Sequence, residues 1–237
     1  MPAEPSTDPE RRVVDCWHDS ASHWQQLLEH HRLASRAMTN PAIEQAILSY
    51  QPGTLLDVGC GEGWLARQMA AQGIRVTATD AVATLVESAR RQDPKSRYHC
   101  LEYAALPGPL NGQQYDLAVC NFSLFGDESV RKLLSILPSM LSLGGRVLIQ
   151  TLHPLSACQG DYREGWRSSQ WQGIDSASHP PGEAPPWYFR PMASWLALLQ
   201  QTGTVVEMEE PLDPDSRLPL SVIFHLQPDQ QHEHNKR

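Results

Sequence analysis

Closely spaced cysteines and long hydrophobic runs are both missing from this sequence. Its five cysteines lie far apart, with no C-x-x-C pair, so they predict neither a disulfide framework nor a zinc site. The longest apolar runs are too short and too polar to cross a bilayer, and the first twelve residues hold no apolar core for a signal peptide. We therefore expect a reduced cytoplasmic protein with no membrane association and no metal.

Positive charge is also scarce. The chain has 19 Lys and Arg residues against 27 Asp and Glu residues, a formal charge of −8. A surface that neutralises nucleic-acid phosphates needs the opposite balance. We therefore expect no nucleic-acid partner.

The 237 residues are 41% hydrophobic and 19% charged, which is typical of a globular chain of one domain with a cap. Residues 1–12 are polar and predict a loose arm, and helical periodicity follows from Val13 to Tyr50 with a break expected at Asn40-Pro41. We interpret residues 1–50 as an arm and helices that cap the site, residues 51–226 as the main domain, and residues 227–237 as a polar tail.

From residue 54 onward, short apolar runs alternate with amphipathic segments. Strands are predicted near residues 55–58, 74–79, 98–101, 115–120 and 146–151, with helices at 64–71, 82–91, 129–143 and 192–201 and a final strand pair at 205–208 and 220–226. This alternation predicts an α/β fold with a doubly wound, mostly parallel sheet and helices on both faces. The insert at 153–187 interrupts the rhythm, and we expect an irregular loop that serves as a lid.

A glycine-rich turn follows the first strand, where the absence of Cβ atoms lets a ligand approach the backbone. No lysine follows Gly63, which excludes a nucleotide P-loop. The dinucleotide template G-x-G-x-x-G would place its third glycine at Trp64, so a nicotinamide site is disfavoured. Asp80 ends the second strand, 21 residues after Gly59. Its carboxylate can accept both ribose hydroxyls of a nucleoside or cap the next helix.

Four motifs in order carry a resemblance to a known family: Asp57-x-Gly59-x-Gly61-x-Gly63, Glu102–Pro107, Tyr115–Val119 and Leu143–Leu148. Together they resemble the class I S-adenosylmethionine-dependent methyltransferases over most of the chain. The resemblance implies a Rossmann-like domain with seven strands in the order 3-2-1-4-5-7-6, the last strand antiparallel. It also implies S-adenosyl-L-methionine as cofactor and S-adenosyl-L-homocysteine as product.

The resemblance implies a cofactor site at the carboxyl edge of the sheet, made of Arg36, Asp57, Gly59, Cys60, Gly61, Asp80, Ala81, Glu102, Tyr103, Asn121 and Phe122. In it, Asp57 orients the glycine loop through its amides and touches the ligand only indirectly. Glu102 edges the adenine or is a solvated loop residue. Arg36 holds the methionyl carboxylate or forms an ordinary ion pair.

The acceptor side is less defined. Asn121-Phe122-Ser123-Leu124 departs from the Asn-Pro-Pro-Tyr motif of enzymes that methylate bases or glutamine, which with the acidic charge favours a small-molecule acceptor. His153 is the candidate general base, or it hydrogen-bonds the backbone and shapes the strand end. Candidate substrate-binding residues are Trp24, Trp166, Tyr188 and Arg190.

The sequence therefore predicts methyl transfer from S-adenosylmethionine to a small molecule, with oxygen favoured over nitrogen or carbon, by a monomer or homodimer. Two alternatives remain open: a non-catalytic module that binds the cofactor for regulation, and an NAD-dependent oxidoreductase.

Overall fold

The computed structural model describes residues 6–29, 34–169 and 184–229. The helices are α1 Pro9–Glu29, α2 Arg36–Ser49, α3 Trp64–Ala71, α4 Ala83–Gln92, α5 Glu128–Ile136, α6 Pro154–Ala157 and α7 Met192–Leu199. The strands are β1 Thr54–Val58, β2 Arg75–Asp80, β3 Arg97–Cys100, β4 Tyr115–Asn121, β5 Leu141–Leu152, β6 Gly165–Ser169, β7 Ala184–Phe189, β8 Gly203–Glu209 and β9 Ser221–Pro228. Short 3-10 turns lie at 103–105, 108–110 and 137–140.

Seven of these strands form one sheet in the order β3-β2-β1-β4-β5-β9-β8. The first five are parallel, and β9 is antiparallel to both of its neighbours. The predicted order and the antiparallel last strand are confirmed. The strand order reverses between β1 and β4, which is where open α/β sheets bind their ligands.

Both faces of the sheet are covered. Successive side chains of a strand point to opposite faces, so Leu55 packs with α2, α3 and α4, whereas Leu56 packs with α5 and α7. Leu117 and Ala118 alternate in the same way. This two-sided burial explains why the central strands are continuous apolar runs.

The N-terminal helices differ from the prediction. The arm is already helical from Pro9, because Asp8 accepts the Glu10 amide at 3.0 Å and caps the first turn. The expected break at Asn40-Pro41 is wrong, since α2 runs from Arg36 through Pro41. A proline near the start of a helix removes one hydrogen bond, and burial of Ile43 and Ile47 offsets that loss.

The bounds of α5, β5 and β9 also differ from the prediction. The helix predicted at 129–143 ends at Ile136, and a 3-10 turn containing Pro138 follows it. Strand β5 therefore starts at Leu141, five residues before the predicted start at Arg146. At the other end, β9 extends to Pro228, so the first two residues assigned to the polar tail belong to the sheet.

The described ends of the insert contain regular structure where an irregular loop was expected. Helix α6 and strand β6 lie in its first part, and β6 pairs antiparallel with β7, which begins in its last part. The Tyr188 amide donates to the Phe125 carbonyl at 2.7 Å, which ties β7 to the segment after β4. Trp171 and the rest of 170–183 lie outside the described residues. That the insert serves as a lid therefore remains a prediction.

In the parts of the chain that the structure describes, no helix is long and apolar enough to cross a membrane. The same ranges hold no group of three or more His, Cys, Asp or Glu side chains that could bind a metal ion.

Candidate active site

The glycine loop between β1 and α3 is held by strand β2. The amides of Gly59 and Cys60 both donate to the Thr79 carbonyl, at 2.8 and 2.9 Å. The Gly61 amide donates to Asp80 Oδ2 at 2.8 Å, and Asp80 Oδ1 accepts the Val82 amide at 2.9 Å. Asp80 thus joins the loop to the start of α4.

This arrangement corrects the role expected for Asp57. The loop amides go to Thr79 and Asp80, whereas the buried Oδ2 of Asp57 has no hydrogen-bond donor in the described part of the chain. Asp57 therefore lies beside the loop, and its Oδ2 can still accept a hydrogen bond. An unsatisfied buried acceptor at a strand end needs an explanation, and a ligand donor supplies one.

The glycines of the loop differ in their surroundings. A Cβ on Gly59 would lie 2.3 Å from Ser123 Cβ, and one on Gly63 would lie 2.8 Å from Ala89 Cβ. A Cβ on Gly61 would meet nothing within 4 Å. Gly59 and Gly63 are therefore required by close packing, and Gly61 borders the open space above the loop.

Three carboxyl groups lie close together at the glycine loop. Burial, reinforced by the charges of Asp80 and Glu62, raises the pKa of Asp57 to about 7. Burial also raises the pKa of Asp80, opposed by its hydrogen bonds from Val82 and Gly61. Glu62 is buried and paired with Arg67 at 2.5 Å. Because Glu62 is paired, Asp57 and Asp80 supply the negative charge at the loop, and that charge favours a cationic ligand.

Arg36 lies beside the start of α3. Its guanidinium stacks on the rings of Trp24 and Trp64, 5.9 and 5.7 Å from their centroids. Burial lowers the pKa of Arg36, with the charge of Glu62 acting in the opposite direction. Arg36 makes no ion pair with any residue that the structure describes. The rings of Trp24 and Trp64 therefore fix the position of this guanidinium.

The end of β4 also contributes polar atoms. Asn121 Oδ1 is buried with no donor among the described residues. Phe122 has a φ of +49°, a backbone conformation costly for a non-glycine residue and common at functional sites. Tyr103 Oη donates to the Ser123 carbonyl at 2.7 Å, and Ser123 Oγ donates to the Val58 carbonyl at 2.7 Å. These bonds join the ends of β1 and β4.

Helix α1 packs beside this edge. Its Trp17 and Ala21 pack with Leu85 of α4 and with Val82, the residue just before that helix. At its other end, Glu10 Oε1 accepts the amides of Asp127 and Glu128 at 2.7 and 2.8 Å, and so caps α5. Sequence reasoning missed this cap, because its members are more than 100 positions apart.

The remaining predicted cofactor residues have ordinary surroundings. Cys60 is buried, and burial holds the pKa of its thiol well above the usual range. Ala81 follows directly after Asp80 and is half-buried. Glu102 is half exposed and lies 3.4 Å from Arg11 of α1, so its alternative as a solvated loop residue fits the structure.

A pocket lies next to the β4 end, bounded by α6, β7 and α7. Phe122, Phe125, Trp187, Tyr188 and Arg190 are among its lining residues. Trp166, predicted to bind substrate, is not a lining residue but packs edge-on against Tyr188, with ring centroids 5.5 Å apart. The four predicted substrate-binding residues therefore do not form one site. Tyr188 and Arg190 line the pocket, Trp166 packs behind Tyr188, and Trp24 packs against Arg36.

His153 lies outside this pocket's lining. Its Nδ1 accepts the Leu155 amide at 3.2 Å, which places the ring proton on Nε2, 3.0 Å from Glu210 Oε1. With its lone pair occupied, the ring has the structural role that was its alternative, capping α6. General-base catalysis by His153 stays a prediction that requires the ring to leave the Leu155 amide.

Part of the chain matches a known protein family. Residues 55–145, from β1 through the start of β5, match the family model described as "Methyltransferase domain". This region forms a class I S-adenosylmethionine-dependent methyltransferase domain.

Two relatives of this methyltransferase domain are named for O-methylation. The chain is 30% identical over 160 residues to a malonyl-[acyl-carrier protein] O-methyltransferase of Enterobacter lignolyticus, covering 68% of this chain and 58% of the relative. It is 31% identical over 103 residues to a ubiquinone biosynthesis O-methyltransferase of Rickettsia typhi, covering 42% and 41%. The chain thus spans less than two thirds of the length of these curated relatives.

A solved structure shows the same fold over nearly the whole chain. The 1,6-didemethyltoxoflavin-N1-methyltransferase of Burkholderia thailandensis superimposes with a TM-score of 0.65 at 20% identity, covering 96% of this chain and 93% of that one. That structure contains bound S-adenosylhomocysteine.

Proposed function

We propose that this protein transfers a methyl group from S-adenosylmethionine to a small molecule, with oxygen as the favoured acceptor atom. The observation that carries the proposal is the open space above Gly61, bordered by Asp80 and by the unsatisfied acceptors Asp57 Oδ2 and Asn121 Oδ1. When bound there, the cofactor supplies a methyl group on a positively charged sulfur.

The residues around the loop match the groups of this cofactor. The two Asp80 oxygens accept different backbone amides, and a carboxylate has about four acceptor positions, which leaves room for ribose hydroxyls. Arg36 would hold the methionyl carboxylate, and Asp57 with Asn121 would accept from its ammonium. Phe122 would border the cofactor on one side and the acceptor pocket on the other.

Electrostatics favour this cofactor over NAD. The sulfonium and ammonium of S-adenosylmethionine would add positive charge beside Asp57 and Asp80, whereas the pyrophosphate of NAD would add two negative charges there. Charges of like sign oppose binding. The oxidoreductase alternative is therefore disfavoured by charge as well as by Trp64.

The family match and the relatives named as methyltransferases favour an enzyme over a regulatory module. Phe122 follows Asn121 directly and lines a small cavity beside the end of β4, so an acceptor that reached this cavity would be next to the cofactor. Two relatives named as O-methyltransferases support oxygen as the acceptor atom. Because a hydroxyl acceptor must lose a proton, we retain His153 as the proposed base. A cytoplasmic location, a monomeric or homodimeric state and the absence of a nucleic-acid partner are also proposals.

Calorimetric titration with S-adenosylmethionine, S-adenosylhomocysteine and NAD tests the cofactor assignment. We expect saturable one-to-one binding of the first two and none of NAD at the same concentrations. Adenosine serves as a control for the nucleoside half and should bind more weakly than either. Binding of NAD with no binding of S-adenosylhomocysteine would overturn the proposed function.

The same titration at several pH values examines Asp57. A cationic ligand favours the ionised form of Asp57. Because the pKa of Asp57 is raised to about 7, its carboxyl group is mostly protonated below that pH, and binding there must release the proton. Affinity for S-adenosylmethionine should therefore fall as the pH drops through about 7, by up to about tenfold per unit. Asp57→Asn should remove this dependence.

A further inference from the structure

Helix α1 contacts the starts of two helices that lie on opposite faces of the sheet. Its Trp17 and Ala21 pack with Val82, just before α4, and Glu10 binds the amide of Asp127, just before α5. Helix α4 packs on one face of the sheet and α5 on the other. The helix rises about 16 Å from Glu10 to Ala21, more than the two strand spacings of about 4.8 Å each that separate β2 from β4. Helix α1 therefore crosses the carboxyl edge of the sheet at β1, the strand that ends in the glycine loop.

The apolar contacts that hold α1 in this position are few. Two large hydrophobic clusters fill the two faces of the sheet, and neither includes an α1 residue from the part of the chain that the structure describes. Trp17 and Ala21 instead form a small separate cluster with Val82 and Leu85. The Trp17 ring also lies 5.6 Å from the ring of Phe125, measured between centroids. A helix held by so little apolar surface can separate locally while the sheet stays folded.

Glu10 attaches α1 to the start of α5 through three hydrogen bonds. Its Oε1 accepts the amides of Asp127 and Glu128 at 2.7 and 2.8 Å, and its Oε2 accepts the hydroxyl of Ser129 at 2.6 Å. Asp127 is the N-cap residue of α5, but its side chain makes no capping bond and pairs with Arg190 at 2.8 Å. Helix α1 thus supplies the carboxylate that caps α5, a position where negative charge is favoured.

Gly126 provides the space for this attachment. A Cβ at Gly126 would overlap Glu10 Oε2 and Ser129 Oγ. Gly126 is not among the residues with a positive φ, so its backbone conformation does not itself require glycine. The close approach of the Glu10 carboxylate therefore explains the glycine at this position.

We propose that α1 is a movable cover over the proposed cofactor site and that Glu10 is the latch that holds this cover closed on α5. The inference rests on the proposed function and adds how the cofactor enters and leaves. The cofactor binds between the glycine loop and α1, so it exchanges only when α1 has moved away. Opening costs little hydrogen-bond energy, because water replaces the partners of both the Glu10 carboxylate and the α5 amides.

Stopped-flow measurement of S-adenosylhomocysteine binding, with tryptophan fluorescence as the signal, tests the latch. Glu10→Ala removes the three bonds that favour the closed cover, with and without ligand. Its association and dissociation rate constants should both rise by about tenfold or more. The dissociation constant should change much less than either rate constant, because Glu10 binds α5 and not the glycine loop. Wild-type rate constants in folded Glu10→Ala would overturn the inference.

Two further variants provide matched comparisons. Asp15→Ala removes another carboxylate of α1, one that pairs with Arg11 of the same helix at 3.0 Å, and should leave both rate constants unchanged. Gly126→Ala displaces the Glu10 carboxylate without altering α1, and should reproduce the rate constants of Glu10→Ala. Melting temperatures establish that each variant folds. Wild-type rates in Gly126→Ala, or an equal increase in Asp15→Ala, would overturn the role of Glu10.

Hydrogen exchange of the wild-type protein decides the inference if the latch variants do not fold. Bound S-adenosylhomocysteine should slow the exchange of amides in residues 13–26 of α1, because the ligand contacts the closed cover. Amides of β8, at the far edge of the sheet, should exchange at the same rate with and without ligand. Exchange in α1 that the ligand does not change would overturn the inference.

Failure of this inference is distinguishable from failure of the proposed function. If S-adenosylhomocysteine binds but neither the rate constants nor the exchange of α1 respond as expected, the cover is wrong and the cofactor assignment stands. If S-adenosylhomocysteine itself does not bind, the proposed function fails and the inference fails with it.

Discussion

Asp80→Ala is expected to weaken S-adenosylhomocysteine binding by about two to four orders of magnitude. The substitution removes the acceptor for two ribose hydroxyls, and each hydrogen bond to a charged group contributes about 1.5–3 kcal/mol. It also leaves the buried amides of Gly61 and Val82 without their acceptor. Calorimetry gives the affinity, and thermal unfolding gives the accompanying loss of stability.

Asp116→Ala is a matched control for this prediction. Asp116 accepts the amides of Gly53 and Thr54, both at 2.9 Å, at the amino end of β1 and so at the opposite edge of the sheet. The control loses a comparable pair of carboxylate–amide bonds but should bind S-adenosylhomocysteine normally. Equal affinity in Asp80→Ala and the wild type would remove Asp80 from the cofactor site.

Gly61→Val is expected to abolish cofactor binding while the sheet remains folded. Its Cβ would meet no protein atom within 4 Å, so the new side chain occupies the space assigned to the ligand. The residue has a φ of +57°, and a non-glycine residue in that conformation costs about 1–3 kcal/mol. The expected loss of affinity exceeds about a thousandfold, beyond the range of routine calorimetry.

Gly73→Val separates ligand exclusion from backbone strain. Gly73 has a φ of +87° after α3, and its added Cβ would also meet nothing within 4 Å. The control should therefore destabilise the protein by a similar amount and bind S-adenosylhomocysteine like the wild type. Binding retained in Gly61→Val would show that this glycine serves only the turn.

Most of the sheet could be predicted because its signals are local. The spacing of Gly59, Gly61 and Gly63 after an apolar run, and Asp80 at the end of the next strand, depend on backbone geometry within a few residues. The predicted helix at 64–71 has the observed bounds for the same reason. The resemblance to a family supplied the strand order, which periodicity alone does not determine.

The features that were missed depend on contacts between distant residues. Nothing near Glu10 indicates that its carboxylate caps α5, and nothing near Arg190 indicates that Asp127 neutralises it. The helix through Pro41 depends on burial of Ile43 and Ile47, which outweighs the local signal for a break. The pairing of β6 with β7 also joins segments separated by residues 170–183.

The most direct test of the central claim is a crystal structure with S-adenosylhomocysteine bound. We predict that the ligand lies over Gly61, with both ribose hydroxyls within hydrogen-bond distance of Asp80. We also predict that its sulfur faces the pocket beyond Phe122. Ligand density elsewhere on the molecule, or a ribose that does not contact Asp80, would contradict the assignment of this edge as the site of methyl transfer.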